Sequence, residues 1–337
     1  MKATIRRALT TGALPFILAG APTAVFACAS CGCTLSSDWQ SQGFTTQTGW
    51  SLDLRYDYLN QDQLRRGTGT ISGSAAAAIV NNGDNQEVEK YTRNRYYTVG
   101  IDYSGSRDWG INLQVPYIER DHSTLGTNSD GYTPGPDGGQ YDSRTSSLGD
   151  IKLIGRYQGF SPQRNFGLLL GAKLPTGSHT QTGTSSDPGN PGPVPIDRGL
   201  QPGSGTTDVI VGAYYFSDLS QDWSYFVQST YQSAVDRADQ YRPGDGFNVN
   251  LGLRYLGFDR VRPQLQLNGR HVEPDAGANA DTVSTGGTLL YLSPGIVVPV
   301  DKQTSVYAFF QMPVYQDVKG VQLAPRYTVS LGVHRAF

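Results

Sequence analysis

The chain has 337 residues, of which 37% are hydrophobic and 11% aromatic, with 41 Gly and only 3 Cys. Its 27 basic and 29 acidic residues give a formal net charge of −2, which argues against nucleic acid as a partner because that ligand needs a basic surface. A mean hydropathy of −0.39 excludes a protein with many apolar membrane helices, but not a β-barrel, in which outward apolar and inward polar residues cancel.

Residues 1–27 have the composition of a secretory signal peptide. A basic start is followed by an apolar run over 8–21, and the sequence up to Ala27 fits the small-residue rule for cleavage. A membrane anchor would need about 18 unbroken apolar residues, and this run is shorter. The pattern therefore predicts an exported chain that starts at Cys28.

Residues 28–46 follow as a predicted periplasmic tail that contains all three cysteines, Cys28, Cys31 and Cys33. Closely spaced thiolates suit a soft metal such as Zn or Cu(I), although a metal would still need a fourth ligand. Two other interpretations stay open, which are lipidation of Cys28 and a disulfide with one thiol left over. The only cofactor that the sequence indicates is therefore a soft metal in this tail.

From residue 47 to residue 337, apolar and polar residues alternate with a period of two. In the first segment Trp50, Leu52 and Leu54 alternate with Ser51 and Asp53. This period is the pattern of a β-strand with one apolar and one polar face. The same pattern predicts further strands near 97–103, 109–117, 150–157, 166–174, 209–215, 223–231, 247–255, 264–270, 290–298, 306–314 and 327–337.

The connections between these strands alternate between long and short. Long ones are expected near 61–90 and 124–146, and short ones near 105–108 and 159–164. Short turns at one end, longer loops at the other and aromatic residues at both ends of the apolar faces are typical of outer-membrane barrels. We therefore predict an all-β, transmembrane, antiparallel up-and-down β-barrel of outer-membrane type over 47–337, with about 12 strands.

Strand parity points a set of charged residues into the predicted lumen. The set contains both signs: Asp53, Arg55, Asp57, Asp102, Asp150, Lys152, Arg156, Lys173, Arg254 and Arg270. Mixed charge argues against a strongly anion-selective or cation-selective pore. Apolar residues such as Tyr96, Phe226 and Tyr291 share the inward parity, and an apolar lining with a few polar groups suits small organic solutes. An open channel and a narrow, filled barrel both fit this pattern.

Two segments resemble a known family. Ser147–Leu153 followed by Gly171–Gly177, and Gln311–Leu323 near the end, are similar to outer-membrane proteins labelled as transporters of the phenol-degradation meta pathway. The terminal Phe337, with mostly apolar residues at every second position before it, resembles the sorting signal that the barrel-assembly machinery reads. The resemblance implies a porin-like barrel and an assembly role for Phe337, and the cysteine cluster departs from the family's general pattern.

These observations predict a porin-like channel in the outer membrane of a Gram-negative bacterium. It would allow passive uptake or export of small solutes, including hydrophobic or aromatic ones, and its partners would be outer-membrane lipid and lipopolysaccharide, the assembly machinery and the solute. The alternative is a barrel scaffold whose cysteine tail binds a metal or a periplasmic redox partner. A surface hydrolase would need a nucleophile beside a base, and His271 has no serine two residues further on, so no catalytic residue is predicted.

Overall fold

The computed structural model describes residues 47–81, 84–125, 140–186 and 191–337. The predicted signal peptide over 1–27 and the predicted tail over 28–46, with Cys28, Cys31 and Cys33, lie outside the described residues. In the described part of the chain, no helix is long and apolar enough to cross a membrane.

The described residues form strands β1 to β17, a short helix α1 (Gly73–Ala77) and a 3-10 turn at Arg198–Leu200. The strands are β1 (Gly49–Gly67), β2 (Gly69–Thr70), β3 (Val80–Asn81), β4 (Asp84–Asn85), β5 (Val88–Ser104), β6 (Trp109–Leu125), β7 (Gln140–Leu148), β8 (Ile151–Tyr157), β9 (Phe166–Leu174), β10 (Thr182–Ser185), β11 (Gly192–Pro195), β12 (Asp208–Asp218), β13 (Trp223–Ala234), β14 (Gly246–Tyr255), β15 (Arg262–Val272), β16 (Gly287–Pro299) and β17 (Thr304–Ala336).

The long strands form one closed antiparallel barrel. Neighbours in sequence pair from β5 round to β17, and β1 closes the ring because it pairs with β5 on one side and β17 on the other. On one side, β6 pairs with two strands in succession, with β8 along its first half and with β7 along its second half. A closed ring has no unpaired edges, which is why this architecture is stable without a partner strand.

The strand β17 crosses the wall twice. Its first limb pairs with β16 up to Val318, and its second limb pairs with β1 as far as Ala336. The reversal lies at Gly320, which has φ +57° and no room for a Cβ, because the Oγ of Ser284 would lie 2.5 Å from it. With the two limbs counted separately, and β7 and β8 as one, the wall has twelve spans, so the predicted barrel of about 12 strands is confirmed.

The two faces of the wall differ as the alternation predicts. On β1, Leu54 is 49% exposed, whereas Asp53 and Asp57 are 7% and 0% exposed. The same contrast recurs along the other long strands, so apolar side chains cover the outer surface and polar ones lie inside. Aromatic contacts such as Trp50–Tyr103 and Trp223–Tyr255 surround the end of the barrel where the short turns lie. We call this end the short-turn end and the opposite one the long-loop end.

Inside the barrel, the apolar packing is divided into separate patches. One contains Leu169, Tyr214 and Phe226, and another contains Val297, Tyr307 and Phe309. At the long-loop end a third patch forms where α1 packs against the wall, and its buried members are Ala76, Ala77, Val88, Leu125 and Val321. Between the patches, the interior is built from polar side chains.

Candidate functional site

A buried ion pair lies inside the wall near the short-turn end. The guanidinium of Arg156 donates to both carboxylate oxygens of Asp102, at 2.6 and 3.1 Å, and it also contacts the hydroxyl of Ser104. Both charged side chains are about 95% buried or more. On the neighbouring wall, Tyr307 donates its phenolic hydrogen to Asp53 at 2.9 Å. These charges are therefore held by wall residues.

A second pair lies further along β1. Arg55 donates through Nε to Asp57 at 2.9 Å, and Ser330 on β17 donates to the same carboxylate at 2.5 Å. Asp57 is completely buried, whereas Arg55 keeps partial exposure on its side chain. The two residues are two positions apart on β1, so their side chains lie on the same face of the strand, as the alternation predicts.

Lys173 forms the centre of a third network, towards the long-loop end. Its ammonium group lies 3.2 Å from Asp150 and 3.0 Å from Asp208, and both carboxylates are buried. Asp150 also accepts from the backbone N–H groups of Gly177 and Ser204, at 3.0 and 2.9 Å. The predicted strand near 150–157 begins one residue later, so Asp150 lies in the break between β7 and β8, where its buried carboxylate binds the connection that follows β9.

The remaining predicted cations are less covered. Lys152, Arg254 and Arg270 are each half-buried. Arg254 donates to Ser224 at 3.3 Å, and Arg270 donates to the amide oxygen of Asn248 at 3.1 Å. Ser224 and Asn248 are neutral, so these two hydrogen bonds do not neutralise the charges of Arg254 and Arg270.

Four amide side chains and one hydroxyl join the inner faces of the five neighbouring strands β13 to β17, a row that the alternation alone did not predict. Asn250 donates to Gln228 at 3.0 Å, Asn268 donates to Asn250 at 2.9 Å, and the hydroxyl of Ser293 donates to Asn268 at 2.7 Å. Gln311 on β17 extends the row through a contact of 3.4 Å to Asn268. We call this row the amide belt. The signal in the sequence was the recurrence of Asn and Gln on the polar face of β13 to β15, at 228, 232, 248, 250, 264, 266 and 268.

The two ends of the amide belt differ in how closely other side chains surround them. Asn268 and Gln311 are 1% and 0% exposed, whereas Gln228 and Asn250 are half-buried. All four side chains point inward, so the greater exposure of Gln228 and Asn250 means that free space remains beside β13 and β14. The interior is therefore polar and only partly filled by side chains.

The connection between β9 and β12 folds back onto the inner wall at the long-loop end. Arg120 on β6 holds it, since its guanidinium donates to the backbone oxygens of Gly199 and Gln201 at 2.8 and 3.4 Å and to Asn94 at 2.5 Å. Leu200 between them is only 3% exposed. A long polar connection gives no sequence signal for such docking, so Arg120 was missed.

A cavity of about 260 Å³, which we call the outer cavity, lies between this connection and the wall. Its lining includes Glu87, Glu89, Asp142 and Asp197 as acids, and Val194, Ile196 and Leu200 as apolar residues. Burial raises the pKa of Glu87 to about 8, with a smaller contribution from the nearby charge of Asp197. Burial likewise raises the pKa of Asp197 to about 7. The cavity thus combines an acidic wall with an apolar one.

His271 lies near the long-loop end of β15 and makes two polar contacts. The register of β15 and β16 places Thr288 beside it, with 2.8 Å between the hydroxyl and Nδ1, and Nε2 lies 3.2 Å from Glu273. The hydroxyl beside His271 therefore comes from the neighbouring strand β16, and not from the position two residues further along β15. Phe337 ends the chain beside β1, where its N–H donates to the carbonyl of Trp50 at 2.8 Å.

No family model matches the chain, and no curated protein matches it either. Solved structures do resemble it. An outer membrane channel from Pseudomonas putida F1 aligns over 86% of this chain and 96% of its own, with 12% identity and a TM-score of 0.56. A variant of the monoaromatic hydrocarbon channel TodX aligns over 86% and 91%, with 10% identity and a TM-score of 0.50. At these identities the likeness shows the fold, which is that of outer-membrane barrels.

Proposed function

We propose that the protein is an outer-membrane channel that allows passive passage of small hydrophobic or aromatic solutes. The observation that carries this proposal is the partly filled polar interior beside the amide belt, which leaves a path along β13 and β14. Neutral amides can exchange hydrogen bonds with a passing polar group without holding a charge. The charged wall residues named above, from Asp53 to Arg270, would set the ion preference of that path.

The fold comparison supports the choice of solute class. One barrel of the same fold is a monoaromatic hydrocarbon channel, and this chain offers apolar patches inside its wall, such as Leu169, Tyr214 and Phe226. Small organic ligands prefer a mainly apolar lining with a few polar groups. Passage driven only by the solute gradient would make both uptake and export possible.

The test blocks the proposed path with one large side chain. Asn250→Trp points an indole into the free space beside the amide belt, whereas Leu251→Trp, the matched control, points the same group at the lipid, where Leu251 is 40% exposed. Uptake of radiolabelled benzyl alcohol is measured in cells whose outer membrane contains each variant at equal folded amounts. We expect Asn250→Trp to reduce uptake to near the level of cells without the protein, and Leu251→Trp to leave it unchanged.

Equal uptake by both variants would contradict a path beside the belt. Equal uptake with and without the unmodified barrel would contradict the channel function itself.

A further inference from the structure

The acidic wall of the outer cavity forms no ion pair with a Lys or Arg among the residues that the structure describes. Among the described residues, none of the four carboxylates Glu87, Glu89, Asp142 and Asp197 has a Lys or Arg nitrogen within 4.0 Å. Outside the described residues, the sequence has Lys or Arg only at Lys2, Arg6 and Arg7, within the predicted signal peptide. The nearby Arg120 is held by Asn94 and by backbone oxygens. In the described part of the chain the wall therefore presents four carboxyl groups without an ion-pair partner, and a bound cation would favour their charged forms.

Buried oxygen atoms around the same cavity have no hydrogen-bond partner. They are Oε1 of Glu89, Oγ1 of Thr124 and Oγ of Ser143, and these residues are only 3%, 6% and 8% exposed. All three residues line the cavity. A buried polar group without a partner costs roughly 1–3 kcal/mol, so a ligand that donates hydrogen bonds here would recover that loss.

The arrangement does not suit a metal ion. In the described part of the chain, no three His, Cys, Asp or Glu side chains come close enough to hold one. The acids are instead spread around a space of about 260 Å³ whose other wall is apolar. A cavity of roughly 150 Å³ is enough for benzene, so this one has room for an aromatic ring with a short substituent.

We propose that the outer cavity binds a small organic ammonium ion with an apolar, ring-sized body, an arylalkylamine of the size of benzylamine. The ammonium group has three donors and no acceptor, which matches a wall of carboxylate and hydroxyl oxygens. The ring would pack on Ile196 and Leu200. This inference rests on the proposed function in placing the cavity at the mouth of a channel, and it deepens that function by naming a class of solute.

Calorimetry on the refolded full chain in detergent at pH 7.5 tests the proposal. The probes are benzylamine, its neutral analogue benzyl alcohol and the anion benzoate. We expect benzylamine to bind at least about tenfold more tightly than benzyl alcohol, which is the ratio that one charge-assisted hydrogen bond supplies, and benzoate to bind least.

Two nearly isosteric variants and one control assign the site. Glu89→Gln and Asp197→Asn should each weaken benzylamine binding by about tenfold and leave benzyl alcohol binding unchanged. Asp197 lies outside the strands, so Asp197→Asn leaves the barrel strands unchanged. It therefore still tests the site if Glu89→Gln fails to fold. Asp218→Asn removes the same charge at the short-turn end and should change neither affinity.

Equal affinities for benzylamine and benzyl alcohol would overturn the proposal, as would benzylamine binding that neither variant weakens. Binding of Ca²⁺ alone that displaces benzylamine would overturn it too, since the acids would then form a metal site. The two proposals can fail separately. If benzylamine binds but no solute is taken up, the ligand site stands and the channel function is wrong. If Asn250→Trp blocks uptake but benzylamine does not bind, the channel function stands and the ligand site is wrong.

Discussion

At the residue scale, the buried charges depend on partners placed by the register of the strands. Arg156 and Asp102 lie on β8 and β5, which are not neighbours, and the two hydrogen bonds between them cross β6. Burial of both ions is costly, so the pair is stable only while both members are present.

Removal of one member of this pair should therefore be strongly destabilising. Arg156→Met leaves the carboxylate of Asp102 buried without its counter-ion, and we expect a loss of about 3–5 kcal/mol in the free energy of unfolding. The double variant Arg156→Met with Asp102→Asn should recover part of that loss. Urea unfolding of the lipid-reconstituted barrel measures both free energies. If the loss in the double variant equals the sum of the losses in Arg156→Met and Asp102→Asn, the two side chains do not interact.

The carboxyl groups of the outer cavity give the long-loop end a pH dependence. The pKa of Glu87, raised to about 8, and that of Asp197, raised to about 7, both lie above the ordinary values of 4.5 and 3.8. The folded state therefore binds more protons than an opened state, and deprotonation favours opening. Docking of the connection over 191–207 should be firm at pH 5 and should weaken as the pH rises towards 8.

Hydrogen exchange of this connection, corrected for the intrinsic effect of pH, measures that weakening. Glu87→Gln should make the exchange less dependent on pH, and Asp218→Asn should leave the dependence unchanged. Faster opening at pH 5 than at pH 8 would contradict the assigned protonation states.

At the element scale, the connection between β9 and β12 behaves as an inward-folded segment of the barrel. Two arginines make several of its contacts. Arg120 reaches it from the wall, and Arg198 within it donates to the carbonyls of His179 and Ser204 at 3.1 and 2.9 Å. Asp150 also accepts from the N–H of Ser204 at 2.9 Å, so the Arg120 and Asp150 contacts and the buried Leu200 together hold the segment at the wall.

Arg120→Met keeps the length of the side chain and removes its donors. We expect exchange protection at Gly199 to Gln201 to fall by about tenfold, the loss of roughly one hydrogen bond to a charged group, with the barrel otherwise unchanged. Lys90→Met, which removes a charge on an exposed side chain nearby, is the control. Unchanged protection in Arg120→Met would mean that Leu200 and the backbone hold the segment alone.

At the scale of the whole molecule, ion preference reports on the placement of the inner charges. Arg254→Glu reverses one half-buried charge near the short-turn end, so an open barrel should shift towards cations. The reversal potential in a planar bilayer with a salt gradient measures this shift. Arg260→Glu makes the same change on an exposed turn and should move it little, and equal shifts in the two variants would place Arg254 outside the conducting path.

The fold could be predicted from the sequence because alternation is a local signal that a closed barrel repeats in every strand. Trp50 to Asp53 already shows the pattern that places Leu54 outside and Asp57 inside. The docked connection and the outer cavity could not be predicted, since they depend on contacts between residues distant in sequence, such as Arg120 with Gly199. The break at Asp150 was missed for the same reason. The cysteine tail, the role of Phe337 and the degradation pathway of the solute stay predictions.

The double crossing of β17 has a consequence for how the barrel is made. Ser51 pairs with Ala336 and Gly67 with Val318, so the first strand has no partner on one side until the last limb is in place. Contacts so distant in sequence are slow to form, and two open edges persist until they do. We therefore expect ring closure to be the last step of folding, so that a chain with all its other strands inserted would still be an unfinished sheet, exposed to pairing with other chains.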